Sequence, residues 1–320
     1  MITEKNQKWI YTYDYAPESV WEPWRTEEAP AAWIDDEADR VAARVREGLP
    51  CFLLLTDSHY TVNGTWEDTR AALQALNRRL SPAGLVHLGD LTDGLLPAAR
   101  TEAAEALVIG DMKSLGIPVY IVPGNHDYNY FRGNPEIRYP SRPQFAVDLE
   151  DLRLRMLFID SFDPKETVRY GFTDYAVHWL EASLALLPEG WQAVIFAHLT
   201  PLIRLQAWTK DIRNREKLIG VLNAHANRIL AYINGHNHCD HLFNELYNGA
   251  FPVISINCAK CEYFTEHKPE GAVVPYRALG DRTQESFDVL QIDTENRKLY
   301  FTRFGAGDDR IVENGRARFL

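Results

Sequence analysis

Apolar runs of strand length recur along the chain, separated by stretches that suit helices. Cys51-Phe52-Leu53-Leu54-Leu55-Thr56 has no polar face, as expected of a strand buried on both sides. A helix is predicted at 66–80, a second buried strand at 84–88, a helix at 97–115 and a third strand at 117–122. Strand, helix, strand, helix, strand in this rhythm is the pattern of an α/β protein. Farther along, the pattern changes. Strands at 145–149 and 152–160 read as an antiparallel pair joined at Glu150-Asp151, followed by a helix at 174–187 and a buried strand at 191–197. A helix over 210–227 runs into a strand at 229–233. Three more strands are expected at 251–257, 286–293 and 298–304, the last two joined through Thr294-Glu295-Asn296. No internal repeat or low-complexity tract is visible. The expected organisation is one domain of two packed mixed sheets with helices outside, over 50–320, preceded by an arm at 1–49.

The arm has its own character. Trp9, Trp21, Trp24 and Trp33 are four of the eight tryptophans, Tyr11, Tyr13 and Tyr15 stand beside them, and 31–47 reads as a helix. Rings of this kind pack on the main body, cover a site or meet a second copy.

The chain has 320 residues, 46% of them hydrophobic, so a large core can form without disulfides or a structural metal. With 34 basic and 45 acidic residues the formal charge is -11, which argues against stable binding to a nucleic-acid duplex and against a basic membrane surface. An anionic substrate remains compatible, because bound metal ions reverse the local charge. No segment approaches the roughly 18 to 20 apolar residues of a membrane span, and the polar start lacks the apolar core of a signal peptide. The cysteines, Cys51, Cys239, Cys258 and Cys261, are too few and uneven for a disulfide framework. Cys258-Ala259-Lys260-Cys261 has no second pair to complete a zinc site and reads as structural thiols. A reducing, cytoplasmic location is expected.

Five short blocks stand at strand ends or in loops. They are Asp57-Ser58-His59, Gly89-Asp90-Leu91-Thr92-Asp93, Gly124-Asn125-His126-Asp127, His198 before Leu199-Thr200-Pro201, and Gly235-His236-Asn237-His238. Carboxylate, imidazole and amide oxygen are ligands that borderline divalent metals accept. Ligand crevices in open α/β sheets lie outside the carboxyl ends of the strands. A lone His-x-His is more often surface sequence, but five such blocks in order, each after a predicted strand, are not explained by structure alone.

The order D-x-H, G-D, G-N-H-D, H, G-H-x-H resembles the calcineurin-like metallophosphoesterases, and Gly171-Phe172-Thr173-Asp174 with His178-Trp179-Leu180-Glu181 is similar to the approach to a helix common in that family. The resemblance covers roughly 50–305. It implies a four-layer αββα sandwich of two mixed β-sheets flanked by helices, of the metallo-dependent phosphatase type, with two divalent or mixed-valence ions. It implies that Asp57, His59, Asp90 and His238 hold one ion, and Asp90, Asn125, His198 and His236 the other, Asp90 bridging with its two oxygens. Mn, Fe, Zn or Co would suit this donor set. His126, beside Asn125 and assigned to no ion, is the expected general acid. Asp93 matches a carboxylate that in the protein-phosphatase branch orients this histidine.

The implied activity is in-line attack on a phosphoester by a metal-bridging hydroxide. A phosphodiesterase acting on a small nucleotide-like or lipid-derived diester is expected. A phosphomonoesterase at the same site is the alternative, and a non-catalytic scaffold is disfavoured by the intact ligand set. No tyrosine like that of purple acid phosphatases follows Asp90, and Gly94-Leu95 replaces the Arg-Gly of Ser/Thr protein phosphatases. Tyr128, Arg132 and Arg138, on the loop after His126, are candidate substrate-binding residues, and the long loop 259–284 is a second candidate for specificity. His87, His178 and His225 read as structural, while His241 is placed to line the pocket. The expected partner is the small substrate; the oligomeric state is left open.

Overall fold

A computed structural model describes residues 31–60, 66–94, 97–129, 137–138, 142–202, 204, 208–244 and 250–320. Two sheets carry the architecture. The first contains β1 (Cys51–Leu55), β2 (Gly84–His87), β3 (Val119–Ile121), β10 (Ser286–Asp293), β11 (Lys298–Gly305), β12 (Arg310–Glu313) and β13 (Arg316–Phe319), in the order β13-β12-β11-β10-β1-β2-β3. The second contains β4 (Gln144–Leu149), β5 (Leu154–Ile159), β6 (Gln192–Ala197), β7 (Ile229–Asn234), β8 (His241–Phe243) and β9 (Val253–Ser255), in the order β4-β5-β6-β7-β9-β8. Pairs β1–β2, β2–β3 and β6–β7 are parallel, whereas β10 runs antiparallel to β1.

Alternation along β1 explains why its run has no polar position. Phe52 and Leu54 enter the core between the sheets, with Val86, Phe158, Phe196, Ile254 and Leu290. Cys51, Leu53 and Leu55 face outward, against α1 (Trp33–Ala42), α2 (Trp66–Leu80) and α3 (Ala98–Lys113). On the far side, Leu157 and Ile195 pack beneath α4 (Asp174–Ala185) and α5 (Arg215–Ala224) through Leu180, Leu184, Leu218 and Leu222. Helices, sheet, sheet, helices is the αββα order the sequence implied.

Differences from the sequence reading have local causes. The helix expected over 210–227 begins only at Arg215 because 212–213 pairs with 170–172: Arg213 donates its N–H to Tyr170 O, and Phe172 to Arg213 O. A Cβ at Gly171 would come within 2.3 Å of Arg213 N, so only glycine admits that pairing. The strand expected at 251–257 shortens to 253–255, since Pro252 has no N–H to donate. Strands β8, β12 and β13 were not anticipated. The last two form a hairpin around Asn314-Gly315, both with positive φ, a pairing whose twist suits a tight hairpin. Residues 1–30 of the aromatic arm lie outside the described residues; α1 packs on α2 and β11. Among the described residues no helix is long and apolar enough to cross a membrane.

Candidate metal centre

The five blocks leave β1, β2, β3, β6 and β7, so both sheets deliver loops to one edge. The backbone there is unusual. Asp57, His59, Asp90, His236 and His238 all have left-handed φ, between 44° and 67°, a region that non-glycine residues seldom occupy. Such strain persists where the surroundings over-determine it. Two glycines are needed for close approach rather than φ: a Cβ on Gly124 would lie 2.2 Å from Asp90 Oδ1, and one on Gly235 2.0 Å from Thr56 Oγ1.

All seven side chains named as ligands converge and are buried. Donor atoms of Asp57, His59 and His238 lie within 4.8 Å of one another, as do those of Asp90, His198 and His236. Asp57 Oδ1 is 3.2 Å from His238 Nε2, while its Oδ2 accepts from Thr56 Oγ1 at 2.6 Å and from the His236 amide at 2.9 Å. Asp90 Oδ2 stands between the two groups, 3.1 Å from His198 Nε2 and 3.7 Å from His59 Nε2. Its other oxygen accepts the His126 amide at 2.7 Å. Oδ2 is the Asp90 oxygen that faces both groups, while Oδ1 accepts the backbone amide.

The histidine rings are set by what lies behind them. His198 Nδ1 lies 2.7 Å from Leu88 O and must donate to it, since a carbonyl only accepts. His238 Nδ1 is hydrogen-bonded to Glu262 Oε1 at 2.9 Å, whereas His59 Nδ1 lies 2.7 Å from Asp93 Oδ1 as a charge contact without hydrogen-bond geometry. With Nδ1 carrying the proton, Nε2 offers a lone pair. Yet His59 and His238 aim Nε2 at each other across 3.2 Å, and Asn125 Oδ1 stands 3.1 Å from His198 Nε2. His236 Nε2 is buried with no hydrogen-bond partner among the described residues. Converging lone pairs with no donor between them fit cations. Without a cation, the same carboxylates favour protonated rings, so ring protons and a bound metal would compete for this place. Against the cost of burial, Asp57 and Asp93 push His59 up to about 9, and Asp90 and Asp57 push His198 up to about 9. Asp57 itself is held well below the usual carboxylate range, despite burial, by His238 and His198. The donor set is thus built around positive charge.

The sequence model of the calcineurin-like phosphoesterases matches residues 52–240. The chain belongs to this family. A curated relative, the probable glycerophosphodiester phosphodiesterase GpdQ of Arcobacter nitrofigilis, is 26% identical over 177 residues, covering 51% of this chain and 59% of that protein. The fold is shared with a dimetal phosphatase from Danio rerio, with TM-score 0.58 and 16% identity over 83% of this chain and 99% of that one. It is shared too with GAP50, the anchor in the inner membrane complex of Plasmodium, with TM-score 0.52 and 13% identity over 85% of this chain and 88% of that one.

Within this calcineurin-like centre, other expectations need correcting. The Asp93 carboxylate does not orient His126; it lies on His59, and the Asp93 main-chain oxygen accepts from His126 Nδ1 at 2.7 Å. Tyr128 is 2% exposed and donates its hydroxyl to Asp160, so it packs rather than meets substrate. Arg138 is engaged by Glu105 on α3, which leaves it poorly placed to grip a phosphate. Arg132 lies outside the described residues. His87 is structural, as read: burial pushes it down to about 3, and it accepts the Gly89 amide at 3.1 Å. His241 lies on β8 beside Phe243 and Gly271. Asp127 closes the Gly124-Asn125-His126-Asp127 block without being a candidate ligand. Its carboxylate accepts the amides of Asp90, Leu91 and Gly124 at 2.8–2.9 Å and so clamps two ligand loops together. Glu262 carried no sequence signal, being an ordinary glutamate in a long loop.

Proposed function

We propose that the protein is a metal-dependent phosphodiesterase acting on a small nucleotide-like or lipid-derived phosphodiester. The observation that carries this reading is the convergence of seven donors whose lone pairs face inward. Asp57, His59, Asp90 and His238 would hold one cation, and Asp90, Asn125, His198 and His236 the other. Two such cations, when bound, bring the pKa of water towards neutrality and neutralise charge on the phosphoryl oxygens.

The chain's own residues do the rest. Asp90 and Asp57 keep their outer oxygens occupied by backbone and Thr56 donors, which fixes the inward oxygens. His126 stands at the mouth of the cluster, 13% exposed, with Nε2 4.0 Å from Asp90 Oδ2. Its Nδ1–H is held by the Asp93 carbonyl, so it is the imidazolium form, disfavoured by burial and favoured by Asp90, that would pass its Nε2 proton to the leaving oxygen as the phosphorus–oxygen bond breaks.

A diester carries one negative charge and a monoester two. Arg138, the described arginine of the loop after His126, is engaged by Glu105, which favours the less charged substrate. The curated relative, itself named as a diesterase, supports the same choice. A phosphomonoesterase at the same centre is the second reading. A scaffold role, as in the GAP50 anchor, is opposed by the complete donor set. Chelator-treated protein reloaded with Mn²⁺ is to be assayed on bis-p-nitrophenyl phosphate and p-nitrophenyl phosphate. Faster cleavage of the diester is expected; faster cleavage of the monoester reverses the choice. Fewer than one metal per chain, with neither ester cleaved, overturns the enzyme reading.

A further inference from the structure

The segment 258–284 lies beyond the residues matched by the family model, and its start is folded around one buried guanidinium. Arg277, 1% exposed, donates Nη1 to the carbonyls of Cys258 and Lys260 at 2.7 Å each. Its Nη2 donates to Ala259 O at 3.1 Å and to Gln284 O, and its Nε to Thr283 O at 3.3 Å. The same turn is tied to the Asp57 loop, with the Ala259 amide donating to Thr56 O at 2.8 Å and the Lys260 amide to Asp57 O at 3.1 Å. A chain so fixed delivers Glu262, 2% exposed, to His238 Nδ1 at 2.9 Å. The Asp93 carboxylate lies 2.7 Å from His59 Nδ1, a charge contact without the geometry of a hydrogen bond. The buried ammonium of Lys260 compensates both carboxylates.

The other group of donors is supported differently. His198 Nδ1 rests on the neutral carbonyl of Leu88. Both kinds of acceptor fix the tautomer and the ring. Only a carboxylate adds full negative charge behind the imidazole, making Nε2 a stronger ligand.

We propose that Glu262 and Asp93 are positioning residues that make the Asp57–His59–His238 position the tighter of two cation positions, with Arg277 as the anchor that holds Glu262 in place. The proposal rests on the metal-centre reading above. Loss of such an outer partner typically weakens metal affinity about 10- to 100-fold.

The test is a Mn²⁺ titration of chelator-treated full-length protein, with free Mn²⁺ counted by electron paramagnetic resonance. Wild type is expected to fill in two steps. Glu262→Gln can still accept the Nδ1–H bond but has lost the charge, so its tight step should weaken about 10- to 100-fold while the weaker step stays in place. His236→Ala assigns the steps: it should abolish the weak one and spare the tight one. A tight step unmoved in Glu262→Gln, or both steps weakened alike, overturns the proposal. Thermal melting in chelator checks that the variant folds. Should it not, Glu262→Asp, which keeps the charge on a shorter arm, must weaken the same step or the proposal falls. Wild type that binds no Mn²⁺ overturns the metal centre itself, a different outcome from two steps that ignore Glu262.

Discussion

Among the described residues, two buried clusters of charged side chains are built on opposite rules. One is the centre around Asp57 and Asp90. The other joins Asp240, Asp288, Arg303 and Arg310, none more than 1% exposed, beneath the C-terminal strands. There, Arg303 Nη2 and Arg310 Nη1 each lie 2.5 Å from Asp240 Oδ1; Arg303 Nε is 3.2 Å from Asp288 Oδ1, and Arg310 also reaches Asp288. Two guanidiniums against two carboxylates close the charge within the protein. Around Asp57 and Asp90 the pairing is left open, because the histidines spend their N–H groups on acceptors behind them and turn lone pairs inward. Burial is the same in both. The balance of donors and acceptors separates a brace from a cation site.

Asp90→Asn should break the open cluster most severely. It removes charge from the oxygen facing both groups of donors, so both metals should be lost and turnover should fall by about 10³-fold or more, as when one member of a catalytic unit is removed. Elemental analysis showing two ions per chain in that variant would contradict the shared position. His126→Ala should keep both ions yet lose about 10²- to 10⁴-fold in kcat, the usual weight of a general acid. The loss should be largest with poor leaving groups; an equal loss on nitrophenyl and alkyl esters would remove the proton from His126.

The closed cluster should respond in stability rather than activity. Arg310→Met leaves two buried carboxylates short of a partner and should cost about 3–5 kcal/mol in urea unfolding. Replacing Asp240, Asp288, Arg303 and Arg310 together by apolar residues of similar volume should come close to neutral. If the single and the fourfold changes cost the same, the brace is not self-contained.

Asp160 offers the smallest and finest test, as a buried carboxylate whose hydrogen bonds come from the Tyr128 hydroxyl and the Phe162 amide. Burial pushes it up to about 7, while the Tyr128 hydroxyl and the Phe162 amide favour its ionised form. The folded state therefore keeps this proton from near pH 4 up to about 7, where the unfolded chain has released it. Stability should fall as pH rises through that window and level off above it. Melting of the chelator-treated protein should show the slope, and Asp160→Asn should flatten it; an unchanged slope would place the titration elsewhere.

Much of the fold was legible in the chain. Strands buried on both faces read as unbroken apolar runs, and helix 66–80 emerged with the predicted bounds. What went unread was short or depended on distant pairing. The hairpin at 310–319 did carry a local signal, Asn314-Gly315 between alternating residues. The late start of α5 carried none, because it follows from the contact of Arg213 with Tyr170. The specificity loop shows the same limit. Tyr128 and Arg138 look like substrate residues in one dimension, but Asp160 and Glu105 occupy them in three.

By itself the sequence pointed to the seven donors and to the edge at which they gather. Asp57 with His59 and His236 with His238 sit two residues apart, Asp90, Asn125 and His198 stand singly, all just beyond the end of a strand, and parallel strands bring their carboxyl ends to one side. Tertiary structure decided how each donor is aimed and charged. His238 meets Glu262 24 residues away, and His198 meets Leu88 110 residues away. Whichever element folds behind a ring supplies the acceptor for its second nitrogen. No spacing rule governs that choice, so whether a carboxylate or a carbonyl stands there is settled only by packing.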